Sequence, residues 1–155
     1  MIVINLLGPP VPWKRPAHRV MNGKVIVFDA QQKEKEQARW QMRTSHKGEP
    51  LTCPVAITMT FFFVPPKSCS KVRRREYLMG ISNHISKPDV DNLAKFYMDC
   101  LTGVVLGDDC QVFSLSLHKT YDVSEGVRIS IAPERALKGE STGASAELFD
   151  DLGDC

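Results

Sequence analysis

Apolar side chains recur along this chain in distinct rhythms, and each rhythm names an element. Ile2 to Leu7 is a short, nearly continuous apolar run, the pattern of a buried strand. Gly8 to Pro12 stops it, because three prolines in five residues forbid both helix and ladder. A rigid loop is predicted next, carrying Lys14, Arg15, His18 and Arg19, before a second short strand at Val25–Phe28 closed by Asp29. Asp29 and Gln32 have the spacing of a helix N-cap box. Ala30 to about Arg43 holds mostly good helix formers with neither glycine nor proline, so a largely polar helix is expected there.

Strict alternation then takes over. Val55, Ile57, Met59, Phe61 and Phe63 alternate with Ala56, Thr58, Thr60 and Phe62 up to Pro65 and Pro66, the strongest strand signal in the chain. The basic stretch KSCSKVRRREY, Lys67 to Tyr77, suits a short helix or a loop. Pro88 with Asp89 or Asp91 suits a helix start, and NLAKFYMDCL runs helically until Gly103. Val90, Leu93, Ala94, Tyr97 and Leu101 form its apolar stripe, while Asp91, Lys95 and Asp99 recur every four residues on another face. Val112–Tyr121 and Val127–Ile131 read as two strands of a hairpin joined by DVSEG.

Strands and helices mixed without a regular βα repeat predict an α+β fold: a compact single domain with a mixed β-sheet packed against two main helices. From Pro133 the chain turns small, polar and acidic. The domain is therefore expected over 1–132, with an acidic, disordered C-terminal tail over 133–155.

Charge sharpens this division. Of 20 basic and 18 acidic residues, two and six respectively lie in 133–155, which leaves 18 against 12 in the body, a net of +6. A positive body suits a polyanionic partner. No apolar run approaches the roughly 20 residues that cross a bilayer, and the N-terminal run is short and lacks a basic leader, so a cytoplasmic protein without membrane contact is expected. Five cysteines, an odd number with no C-x-x-C spacing, argue against a disulfide framework or a zinc knuckle.

Against this basic background, HISKPDVDNLAKFYMDCLTGVVLGDDCQV, His84 to Val112, gathers Asp89, Asp91, Asp99, Asp108 and Asp109. Surface ion pairs at four-residue spacing account for Asp91, Lys95 and Asp99. They do not account for Asp89, or for Asp108 and Asp109 after the apolar GVVL. With the helix and the following strand side by side, up to four carboxylates converge, and like charges at that range require a cation between them. Hard oxygen ligands select Mg²⁺ or Mn²⁺. Such a metal beside a lysine in a basic body suits phosphodiester hydrolysis, the basic surface holding the nucleic acid.

The stretch KPDVDNLAKFYMDCLTGVVLGDDCQV resembles the signature of the RusA family of Holliday junction resolvases, strongly over Lys87 to Val112 and more weakly at LLGPPVPWKRP and the closing strands. The resemblance implies a Mg²⁺-dependent endodeoxyribonuclease that resolves four-way junctions in DNA recombination and repair. It implies Asp89, Asp91 and Asp109 as catalytic metal-binding acids, Lys95 as the essential lysine and Asp108 as an accessory metal ligand; Asn92 and Gln111 also match. A homodimer is implied as well, so that two sites cut two strands symmetrically. The DNA contacts are assigned to Lys14, Arg15, Arg19, Arg73, Arg74, Arg75, Lys87 and Asn92. Ala17 stands after KRP where many relatives carry a basic residue, with Arg19 as its substitute. The alternative is a catalytically inert protein that only binds branched DNA.

Overall fold

A computed structural model describes residues 1–21 and 24–134. In chain order the elements are β1 (Ile2–Leu7), β2 (Ala17–Met21), β3 (Lys24–Phe28), α1 (Gln32–Ser45), β4 (Val55–Phe63), α2 (Lys71–Leu78), α3 (Val90–Leu101), β5 (Val112–Tyr121) and β6 (Gly126–Pro133). The fold is α+β, with β1, β6, β4 and β5 side by side in one sheet, and β2 and β3 in a separate two-stranded ribbon.

The strictly alternating segment became an inner strand, β4, flanked by β5 and β6. It pairs in parallel with β5 and antiparallel with β6, which makes the sheet mixed. Val55, Ile57, Met59 and Phe61 are buried on one face, in line with Ile129, Ile131 and Val127 of β6 and Ile4 and Leu6 of β1. Against that face lies α3, whose Leu93, Ala94, Phe96, Tyr97, Cys100 and Leu101 are buried. Its apolar stripe is wider than periodicity predicted, because Phe96 and Cys100 also face packed protein where α1 lies against α3. Two buried residues of α1, Ala38 and Met42, complete this layer.

Several expectations change. The segments 112–121 and 127–131 are strands, but they do not form a hairpin: β4 lies between them. The DVSEG link crosses the end of β4 and is fastened there by Asp122 N–H donating to the Phe63 carbonyl at 2.9 Å. The more apolar strand takes the inner place because burial favours it there. His18 lies in β2 rather than in a loop, and β2 pairs antiparallel with β3. The basic segment forms a third helix, α2, capped by Ser70, whose hydroxyl accepts from Arg73 N–H.

Asp29 does not cap α1. The N-cap is Gln31, with no side-chain cap bond; Asp29 Oδ1 instead accepts from Gln31 N–H at 2.9 Å, and its other oxygen pairs with Lys35 at 2.8 Å. The lysine hydrogen bond holds the Asp29 carboxyl below its ordinary range. β6 continues to Pro133, and Glu134 N–H donates to the Pro54 carbonyl, so the ordered strand passes the expected domain boundary. The remainder of the expected tail, from 135 on, lies outside the described residues.

Candidate active site

The head of α3 is where the first acid pair stands. Asp89 is the N-cap residue, with extended backbone (φ −69°, ψ 143°) and no side-chain cap bond. Asp91 lies in the first turn, and both carboxylates are exposed. Among the described residues neither accepts a hydrogen bond or joins an ion pair, so both keep their full acceptor capacity. The partial positive charge of a helix N-terminus favours anionic groups at this position.

The approach to this head is held from beneath. The Lys87–Pro88 peptide is cis, and Lys119 of β5 donates to the carbonyls of Ser86 at 2.7 Å and Pro88 at 2.9 Å. Lys119 is in register with Phe61 of β4, which puts a charge on the sheet face where apolar residues otherwise point. That inward position is the signal by which sequence could have found it.

Lys95 follows Asp91 by one turn but does not pair with it. Its ammonium lies 3.8 Å from the centroid of the Trp13 ring, and Trp13 N–H donates to the Asn92 carbonyl at 2.8 Å. Asp99 is taken by Lys35 at 3.3 Å. Each charge of the expected surface series is therefore engaged elsewhere or free, and the Asp91–Lys95–Asp99 ion-pair reading fails.

The second acid pair has a different environment. Asp108 caps a single 3-10 turn, Asp109–Gln111, with a reciprocal capping box to Gln111. Its Oδ1 accepts from Cys110 N–H at 2.9 Å, a bond that holds the Asp108 carboxyl below its ordinary value. Gln111 Oε1 accepts from Asp108 N–H at 2.8 Å, while its amide donates to the Leu51 and Cys53 carbonyls. Gln111 is thus a clamp for the turn. Asp109 is exposed, and its side chain interacts with the neighbouring Asp108 carboxyl.

The two pairs do not converge within one chain. Helix α3 and strand β5 lie side by side but run in opposite directions: Asp89 and Lys119 share one end, whereas Asp108 and Asp109 precede Val112 at the other. The 12 residues of α3 separate the pairs by about 18 Å at 1.5 Å per residue. Accordingly, no group of three or more His, Cys, Asp or Glu among the described residues is arranged to hold a metal ion.

The predicted DNA-contacting residues gather at one end of this axis. Arg73, Arg74 and Arg75 are exposed on α2, which packs through Tyr77 on Tyr121, ring centroids 4.2 Å apart. That contact sets α2 at the Asp89 end. Lys14 and Arg15 are exposed one and two residues beyond Trp13, so they also flank the head of α3. Lys87 is exposed and Asn92 half-buried beside the acids; the side chain of Arg19 lies outside the description.

Two further residues escaped sequence reading. Gln31, 1% exposed, accepts from Lys14 N–H at 2.6 Å and donates to the Pro12 carbonyl at 2.9 Å, fastening the basic loop to the start of α1. His84, 8% exposed, stacks on Phe63 at 4.1 Å and touches Tyr121 at 4.9 Å. Burial lowers its pKa, helped by the charge of Lys119. Neither position carries a pattern that distinguishes it from an ordinary polar residue.

The α+β domain thus presents, at the head of one helix, two unengaged aspartates, a lysine stacked on Trp13 and flanking arginines. The particular family follows from comparison: the family model described as "Endodeoxyribonuclease RusA" matches residues 8–132, and the chain belongs to the RusA family. It is also 32% identical over 134 residues to "Uncharacterized protein YqaN" of Bacillus subtilis (strain 168), covering 84% of this chain and 94% of that protein. Among the described residues no helix is long and apolar enough to cross a membrane.

Proposed function

We propose that this protein is a Mg²⁺-dependent endonuclease that cuts four-way DNA junctions as a homodimer. The observation that carries the reading is the pair of unengaged carboxylates, Asp89 and Asp91, at the head of α3 in a chain of the RusA family. Mg²⁺ is commonly held by only one or two carboxylates together with substrate phosphate oxygens, so this pair fits as a donor set. Bound metal would supply an activated water and stabilise the leaving oxygen; Mn²⁺ suits the same oxygens.

The chain's own residues supply the rest. Lys95 is kept off the carboxylates by the Trp13 ring, leaving its ammonium to meet a phosphate rather than to neutralise a ligand. Lys14, Arg15, Lys87, Asn92 and Arg73 to Arg75 hold the DNA backbone around it, with Arg19 completing the set. Lys119 fixes the peptide that carries Asp89.

Separation of the acid pairs supports the homodimer. A two-fold axis that sets the α3 head of one chain against the 3-10 turn of its partner brings Asp89 and Asp91 to Asp108 and Asp109, twice, because an isologous contact repeats every pairing. Two such sites suit two symmetric cuts. The test is incubation of a labelled four-way junction and a linear duplex with the protein, in Mg²⁺ and in chelator. Binding without any metal-dependent incision would leave the inert junction-binding reading instead.

A further inference from the structure

The β2–β3 ribbon does not behave like part of the domain. It forms its own sheet, and among the described residues neither strand packs extensively on any other element. Every residue of β3 is exposed. Val20, Val25 and Val27 are 66%, 65% and 67% exposed, and the register sets Val20 opposite Val25 and His18 opposite Val27. These residues share one face, because side chains alternate across a strand. Isolated two-stranded ribbons are marginal in water, and a clustered apolar face left in solvent marks a contact surface.

The ribbon's roots are nonetheless rigid and lie beside the acids. Gln31 ties both ends together through Lys14 and Pro12, and Trp13 joins the α3 head through the Asn92 carbonyl. No acidic residue occurs before Asp29, whereas Lys14, Arg15, Arg19 and Lys24 do. Such an arm suits a polyanion, and pairing of two copies through it would bring eight like charges together. Duplex DNA presents phosphates and polar edges outward, its apolar base faces being hidden in the stack. Those faces open where the stack is interrupted, and inserted apolar side chains are a known means of holding them open.

Resting on the function proposed above, we infer that the valine face of the β2–β3 ribbon packs against base faces exposed at the branch point, and so selects branched over linear DNA. The test uses full-length protein carrying Val20→Thr, Val25→Thr and Val27→Thr, which keeps shape and strand preference but removes the apolar face. Binding is measured in chelator to a four-way junction with 2-aminopurine at the branch and to linear duplex. Junction affinity should fall at least about tenfold, the wild-type brightening of 2-aminopurine should vanish, and duplex affinity and its salt dependence should stay unchanged. Val25→Ile with Val27→Ile should retain wild-type affinity. Undiminished junction binding and brightening in the threonine variant overturns the inference, as does a change of mass in solution with junction binding intact, which gives the face to a second copy. Because the readout is binding, failure of the wild-type protein to cut any branched DNA would sink the proposed function without altering this outcome.

Discussion

Lys95 stands one helical turn beyond Asp91, the spacing of a surface ion pair, yet its ammonium lies 3.8 Å from the Trp13 ring centroid. An exposed pair of that kind contributes about 0.3 to 0.5 kcal/mol, so a purely structural Lys95 would leave little mark when removed. In the proposed role, meeting the phosphate, it would stabilise charge in the transition state, and its loss would cost far more. Lys95→Ala should lower single-turnover cleavage of a saturating junction roughly 100-fold while the thermal melt scarcely moves. Normal turnover would return Lys95 to the helix surface. Lys119 acts differently: its ammonium donates to the carbonyls of Ser86 and Pro88. Lys119→Met should lose about 2 kcal/mol of stability from two charge-assisted bonds and slow cleavage with junction affinity unchanged, whereas unchanged cleavage at equal protein folding would remove it from the positioning of Asp89.

At the scale of elements, the segment between β4 and α3 is held by aromatic stacking, and His84 is its titratable member. Burial between Phe63 and Tyr121, together with the charge of Lys119 facing it, lowers its pKa from the ordinary 6.5. The unfolded chain therefore binds a proton here at a pH where the folded chain does not. This contribution to stability is present above about pH 6.5 and is lost as the pH falls through the depressed folded value. Stability should decline as the pH falls below about 6.5, and His84→Phe should flatten that decline in denaturant titrations; an equal slope in both proteins contradicts the assignment. Most elements were legible in the sequence because alternation, proline breaks and the DVDN helix start are local signals. The neighbour relations were less so. A DVSEG link reads alike whether it turns back to the adjacent strand or skips over β4, and only the competition for inner place decides. Gln31 and Lys119 act across 17 to 33 residues of chain, a relation that no local pattern carries.

For the whole molecule, the antiparallel run of α3 and β5 has the largest consequence. The acid set was legible residue by residue, but its expected convergence rested on adjacency alone, and direction parts the pairs by about 18 Å. Two subunits restore it if each donates one pair to the other's site. Mixing offers a direct check: Asp91→Asn and Asp109→Asn proteins, each inactive alone, should regain nicking when their subunits exchange, since one of the two shared sites is then fully wild type. Sites built within single chains would stay dead in the mixture.

Metal-dependent incision that requires Asp91 is the most direct test of the proposed function. An end-labelled four-way junction, saturated with protein and then given Mg²⁺, should be cut on paired strands by the wild type, left whole in chelator, and left whole by Asp91→Asn. The variant should bind the junction at least as tightly, because removing one negative charge lessens repulsion of phosphate. Cleavage by Asp91→Asn at the wild-type rate, or wild-type cleavage that persists in chelator, would contradict it.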